Sequence, residues 1–262
     1  MLNAGIYGSS GVILDLEDSV HPDKKAEARI LVRNALRTID FKGCERMVRI
    51  NQLPMGYTDL DAVIKDCPNL ILIPKCETAE LIQGVDRYIS KILPFCKFPI
   101  YLMPIIESAL GVQNSYDIAL ASTRNVAMAI GLEDYTADIG VERSTSGQES
   151  LFARMTIVNA AKAAGIQPID SVFSDVSDME ALSQTVEKSK ALGFVGMGCI
   201  HPRQVPIINK GYSPLQIEIE KAQKIVIAYE LASQEGLGVV SLGSKMIDAP
   251  VVDRANRIIV RA

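Results

Sequence analysis

Short apolar runs separated by longer helical patterns constrain this chain more tightly than any other feature. The runs lie near residues 11–16, 46–50, 70–74, 100–106, 126–131, 169–173 and 194–199, and a helical stretch follows each. That alternation is the signature of repeated βα units around a parallel sheet. Seven strands are one fewer than an eight-stranded barrel needs to close, and the chain starts ten residues before the first. The expected fold is therefore α/β, a TIM-like (β/α)8 barrel lacking its N-terminal first strand, with Leu2 to Tyr7 as the tail of the helix after the absent strand. Such a barrel leaves unpaired backbone at two edges. The alternative is an open doubly wound sheet.

Local signals place several boundaries. Ser177-Asp178-Met179-Glu180 reads as a capping box opening a helix that Gly193 closes, and Ser213-Pro214-Leu215-Gln216 opens another that ends near Gly236. Gly140 to Gly147 is the longest polar loop and is expected at the rim of the site. The expected division is a barrel catalytic domain over 1–235 and an extension over 236–262, with Gly236 to Gly243 as a linker that carries the last helix toward a neighbouring subunit.

Length and composition narrow the function classes. A chain of 262 residues can build one large core. A net charge of −4 with both signs interspersed argues against nucleic acid or an anionic membrane as the main partner, leaving small molecules. Cys44, Cys67, Cys76, Cys96 and Cys199 form an odd set with no CxxC pair, which reads as reduced packing thiols in a cytoplasmic protein. No apolar segment approaches the ~18 residues of a membrane span, and Met1 to Ser10 lack the features of a secretion signal.

Charged residues sit just past the C-terminal ends of the apolar runs, the edge at which parallel α/β folds hold their active sites. Gly11 to Leu14 empties into Asp15, Glu17 and Asp18, Met47-Val48 into Arg49 and Asn51, and Leu70 to Ile73 into Lys75. Ile100 to Ile106 ends at Glu107, and Ala127 to Leu132 at Glu133-Asp134. Glu107 and Asp134 supply the hard oxygen ligands that Mg²⁺ prefers while leaving positions for water and substrate; no His or Cys accompanies them, which disfavours zinc. The plainer reading is a pair of solvated or salt-bridged loop acids. Arg49 can clamp a carboxylate with its planar fork, or form a rim ion pair with Asp15, Glu17 or Asp18, and both hold if those acids orient it. Lys75 is expected to be charged and salt-bridged. Strand alternation lets at most two of Asp15, Glu17 and Asp18 point into the site. His201, before Pro202, is expected to cap a turn.

The strings Leu14-Asp15-Leu16-Glu17-Asp18-Ser19-Val20, Val48-Arg49-Ile50-Asn51, Pro74-Lys75, Ile106-Glu107-Ser108-Ala109-Leu110-Gly111, Gly131-Leu132-Glu133-Asp134-Tyr135, His201-Pro202-Arg203-Gln204 and Gly243-Ser244-Lys245-Met246-Ile247-Asp248-Ala249-Pro250 resemble the citrate lyase β-subunit family. This Mg²⁺-dependent carbon–carbon lyase group also holds citramalyl-CoA and malyl-CoA lyases. The likeness runs in order over nearly the whole chain, and the tail Glu235 to Leu242 and Glu142-Arg143-Ser144 are most similar to its citrate-type members.

The resemblance implies a modified TIM barrel assembled into trimers or hexamers. Arg49 would bind substrate, Glu107 substrate and metal, and Asp134 would complete the Mg²⁺ site. Asp248 would reach a neighbour's active site and act there as the acid. It implies cleavage of a citryl thioester to oxaloacetate and an acetyl thioester, with an acyl-carrier-protein subunit and a transferase subunit as partners. The alternatives are a stand-alone citramalyl-CoA or malyl-CoA lyase or thioesterase on a CoA thioester and, in another class, an inactive truncated scaffold subunit. The family's first strand, ending in a Phe-Val-Pro-Gly-like turn, has no counterpart here.

Overall fold

A computed structural model describes residues 1–93, 99–234, 236–243 and 245–260. Cys96, Glu235 and Ser244, which figure in the sequence reading, lie outside the described residues. The strands are β1 (Gly11–Asp15), β2 (Glu45–Arg49), β3 (Leu70–Ile73), β4 (Tyr101–Ile106), β5 (Ala127–Ile130), β6 (Gln167–Asp170), β7 (Gly196–Met197), β8 (Val240–Leu242) and β9 (Lys245–Ile247). The helices are α1 (Lys25–Thr38), α2 (Met55–Val63), α3 (Ala79–Ile92), α4 (Ala109–Gln113), α5 (Ser115–Leu120), α6 (Leu132–Asp138), α7 (Gln148–Ala163), α8 (Met179–Leu192), α9 (Val205–Tyr212), α10 (Gln216–Gln234) and α11 (Ala249–Val260).

Strands β1 to β7 form one parallel sheet in sequence order. A doubly wound sheet reverses its strand order at a switch point, so that alternative is excluded. Among the described residues β1 pairs with β2 and β7 with β6, and the seven strands are not closed into a complete barrel. All seven runs read from the sequence are strands.

Burial on both faces explains the apolar character of the central strands. Leu70 and Leu72 of β3 cluster with Met103 and Ile105 of β4 and Ala127 of β5. Ile71 and Ile73 alternate to the opposite face and are equally buried. Each such side chain stabilises the fold by about 1.5–3 kcal/mol. Helix α3 buries Ile82, Val85 and Ile89, the one-sided spacing that packs a helix onto a sheet, and Thr78 caps it by accepting the Leu81 N–H.

One boundary differs in detail from the sequence reading. The cap of α8 is Asp178, which accepts the Ala181 N–H, rather than Ser177. Gly193 closes that helix in the left-handed conformation, as expected. His201 does cap its turn, its Nδ1 accepting the Arg203 N–H.

The chain divides into two compact units, Met1–Ile208 and Asn209–Ala262. In the second, the antiparallel β8–β9 pair and helices α10 and α11 share a core of Ala222, Ile225, Ile247, Val252 and Ala255. Among the described residues, no helix is long and apolar enough to cross a membrane.

Candidate active site

Register builds the first half of the site. Asp15 and Arg49 are partners across the β1–β2 ladder, each the last residue of its strand. The chain turns sharply after β1, with the Glu17 and Ser19 N–H groups both donating to the Asp15 carboxylate. Arg49 closes on that carboxylate with its fork, Nε to Oδ1 at 2.7 Å and Nη2 to Oδ2 at 2.6 Å. Its Nη1 faces Glu17 Oε2 at 3.0 Å and Asp18 Oδ2 at 3.5 Å. The turn thus brings all three acids to one guanidinium, where strand alternation allowed two.

Their environments separate these carboxyls. Burial alone would raise the Asp15 pKa, but hydrogen bonds from Arg49, Ser19 and Glu17 hold it down at about 2. Glu17 is buried, and burial pushes it up to about 7 against the pull of Arg49. Arg49 stays charged, because its hydrogen bonds to Asp15 outweigh the burial that opposes it. The turn carrying Glu17 is itself fixed. Lys25 Nζ donates to the Leu16 and Glu17 carbonyls at 2.8 and 2.6 Å, and Asn51 Nδ2 donates to Leu16 O. Asp59, fully buried, holds Asn51 and accepts Arg29 Nε at 2.6 Å.

Lys75 builds the second half. Its backbone is left-handed, with φ +48°, a conformation that costs a non-glycine residue about 1 kcal/mol or more and gathers at functional sites. That turn aims its N–H at Glu107 Oε1, 2.7 Å away, while its Nζ pairs with Asp134 Oδ1 at 3.0 Å. One residue therefore engages both acids. The Asp134 hydrogen bond raises the Lys75 pKa, as expected for a salt-bridged lysine. Burial pushes Glu107 up to about 7, assisted by the negative charges of Asp134 and Glu17 and opposed by the Lys75 N–H. Glu107 lies over the strand-to-helix junction after β5. A Cβ on Gly131 would sit 2.5 Å from Glu107 Oε2 and 3.0 Å from its Cβ, so only glycine leaves space for the carboxylate. Asp134 follows in the first turn of α6.

The donor set suits a hard divalent cation. Among the described residues no three His, Cys, Asp or Glu side chains converge on a metal position. An ion held by Glu107 and Asp134 would complete its shell with water and substrate, the usual arrangement for Mg²⁺. Both Glu17 carboxylate oxygens are buried without a hydrogen bond of good geometry, and when ionised this group raises the pKa of Glu107. Glu107, Asp134 and Lys75 therefore come together as the strand-end pattern anticipates, and Arg49 joins them electrostatically through Glu17. Asp248 lies in the second unit, opening α11 with its Oδ1 accepting the Val251 N–H. At the rim, Arg143 pairs with Glu133 at 2.7 Å and donates to Val172 O. Sequence reasoning passed over Gly131 and placed Glu17 only among the acids that could pair with Arg49. A glycine between a strand and an acidic helix start was the available signal for Gly131.

The model of the HpcH/HpaI aldolase/citrate lyase family matches residues 1–202. The chain is 41% identical to citrate lyase subunit beta of Leuconostoc mesenteroides subsp. cremoris, over 98% of this chain and 86% of that protein. It is 31% identical to the mitochondrial citramalyl-CoA lyase of Rattus norvegicus, over 95% and 78% respectively. Among solved structures, the citrate lyase beta subunit from M. tuberculosis complexed with oxaloacetate and magnesium superposes with a TM-score of 0.66 at 31% identity, covering 78% of this chain and 87% of that one. By its strand-edge acids, its sequence and its fold, the chain belongs to the HpcH/HpaI aldolase/citrate lyase family.

Proposed function

We propose that the chain is a Mg²⁺-dependent carbon–carbon lyase of the citrate lyase β-subunit type, cleaving a citryl thioester to oxaloacetate and an acetyl thioester. The observation that carries this reading is the meeting of Glu107 and Asp134 on Lys75, at the strand edge that also holds Arg49. The 41% identity to a citrate lyase β subunit and the oxaloacetate and magnesium bound by the M. tuberculosis protein support it.

In this reading Glu107 and Asp134 hold the metal. When bound, Mg²⁺ supplies Lewis acidity to a substrate hydroxyl and its neighbouring carboxylate. Arg49, fixed by Asp15 and flanked at Nη1 by Glu17 and Asp18, would offer a substrate carboxylate the N–H donors that these acids leave open. Cleavage leaves an electron pair on the acetyl-thioester carbon. Asp248 from a neighbouring subunit is the proposed donor of the proton that carbon takes up.

The sequential order of the seven strands supports a TIM-like (β/α)8 barrel lacking its first strand as the architecture, with 236–262 as the segment that reaches the neighbour. The proposed assembly is a homo-oligomer working with an acyl-carrier-protein subunit and a transferase subunit.

The test supplies full-chain protein and Mg²⁺ with citryl thioesters on acyl carrier protein and on CoA, reading oxaloacetate by its coupled reduction. Release from the carrier-protein form, abolished by EDTA and by Glu107→Ala, is expected. Absence of oxaloacetate release from both carriers refutes the citryl-lyase reading. Preferential cleavage of citramalyl-CoA would select the second reading, which rests on the 31% identical relative.

A further inference from the structure

Gly131 creates a difficulty for the helix it precedes. Glutamate 107 demands a residue without a Cβ there, yet that same residue is the N-cap of α6 and offers no side chain to the helix's free N–H groups. The first N–H groups of any helix lack partners within it. Elsewhere in the chain Thr78, Ser108 and Asp178 cap their own helices. For α6 the partner comes from the next strand over. The Leu132 N–H donates to Ser171 Oγ at 3.1 Å, both residues being buried.

Ser171 is in turn locked. Its own N–H donates to Asp170 Oδ1 at 2.9 Å. The Asp170 carboxylate, buried at the end of β6, also accepts Arg154 Nε at 3.2 Å, Arg154 Nη2 and the Ser189 hydroxyl. Arg154 comes from α7 and stacks over Phe194 at 5.6 Å, and Ser189 comes from α8. A rigid cluster spanning two helices and a strand thus ends in one hydroxyl, two residues short of Asp134.

We propose that Ser171 is a positioning residue that sets Asp134 for the divalent ion, standing in for the cap that Gly131 cannot provide. This rests on the reading of Asp134 as a metal carboxylate. The prediction concerns ion affinity in full-chain protein, read by Mg²⁺ titration calorimetry alongside thermal melting. Losing one buried hydrogen bond from the helix start should raise the Mg²⁺ Kd of Ser171→Ala about fivefold. Ser171→Thr, which keeps the hydroxyl, should return the Kd close to that of the unaltered protein. Ser122→Ala serves as the control. It removes hydrogen bonds before β5 rather than after it, one to Asp86 Oδ2 at 2.7 Å and one from the Arg124 N–H at 3.0 Å, and should lower the melting temperature without moving the Kd. Equal Kd values for Ser171→Ala and the unaltered protein overturn the proposal, as does a Kd shift in Ser122→Ala as large as that in Ser171→Ala. Unaltered protein that takes up no Mg²⁺ overturns the metal reading itself, and this inference with it.

Discussion

Gly131→Ala separates catalysis from folding in a single methyl group. The backbone at 131 has φ −105° and ψ 102°, an extended conformation open to any residue, so alanine introduces no backbone strain. The cost falls on Glu107. The new Cβ would lie 2.5 Å from Oε2, where ordinary contact begins near 3.4 Å, so the carboxylate must retreat by about 1 Å. It is buried and its other oxygen is tied to the Lys75 N–H, so the retreat breaks a hydrogen bond worth about 1 kcal/mol. Against this, replacing glycine by alanine stabilises by about 0.4–1 kcal/mol through the unfolded chain. Stability should therefore stay nearly level. A misplacement of about 1 Å at the reacting centre costs ~10²-fold in rate, so kcat should fall by about that factor and the Mg²⁺ affinity with it. Steady-state kinetics, calorimetric Mg²⁺ titration and a melting curve on the same preparation give the answer. A variant with nearly unaltered kcat and Kd would show that Glu107 does not need the space above Gly131, and the metal assignment built on it would fail.

Arg49→Ala should lower kcat by ~10²-fold or more and destabilise the fold by about 2 kcal/mol, because Asp15 and Glu17 lose their shared counter-ion; a near-normal rate would remove Arg49 from the mechanism. Glu17 gives a pH signature in metal-free protein. Its pKa of about 7 in the fold exceeds the ordinary 4.5, so the folded state keeps a proton that the unfolded state has lost. Its contribution is complete below pH 4.5, declines as pH rises toward 7 and is level above, so native protein should lose stability relative to Glu17→Gln across that window. Denaturant midpoints from pH 5 to 8 measure the difference, and parallel curves for the two proteins would contradict the assignment.

The strands were legible because burial on both faces demands unbroken apolar runs, which polar turn residues then interrupt. The positions of Glu107, Asp134 and Arg49 were legible for a related reason, since charged residues at the end of a buried strand or in the turn that follows it emerge at the sheet's C-terminal edge. Other parts depend on contacts that no periodicity encodes. The convergence of Asp15, Glu17 and Asp18 on Arg49 required the chain to turn after β1, and the double engagement of Lys75 required a left-handed residue. The roles of Gly131 and Ser171 arise from neighbouring strands placing residues 24 and 39 positions apart in contact. The association of α10 with the C-terminal hairpin is likewise a product of packing, through Ala222 and Ile225.

The two-toothed grip of Arg49 on Asp15 has a consequence for how this opening responds to acidity. A carboxyl that ionises near 2 and a guanidinium that keeps its proton remain an unchanging pair at any acidity a cell encounters. The orientation of the arginine is thereby insulated from protonation events, and sensitivity near neutrality passes to Glu17 beside it and to Glu107. A single cationic anchor can stay in place while the charge around it is retuned.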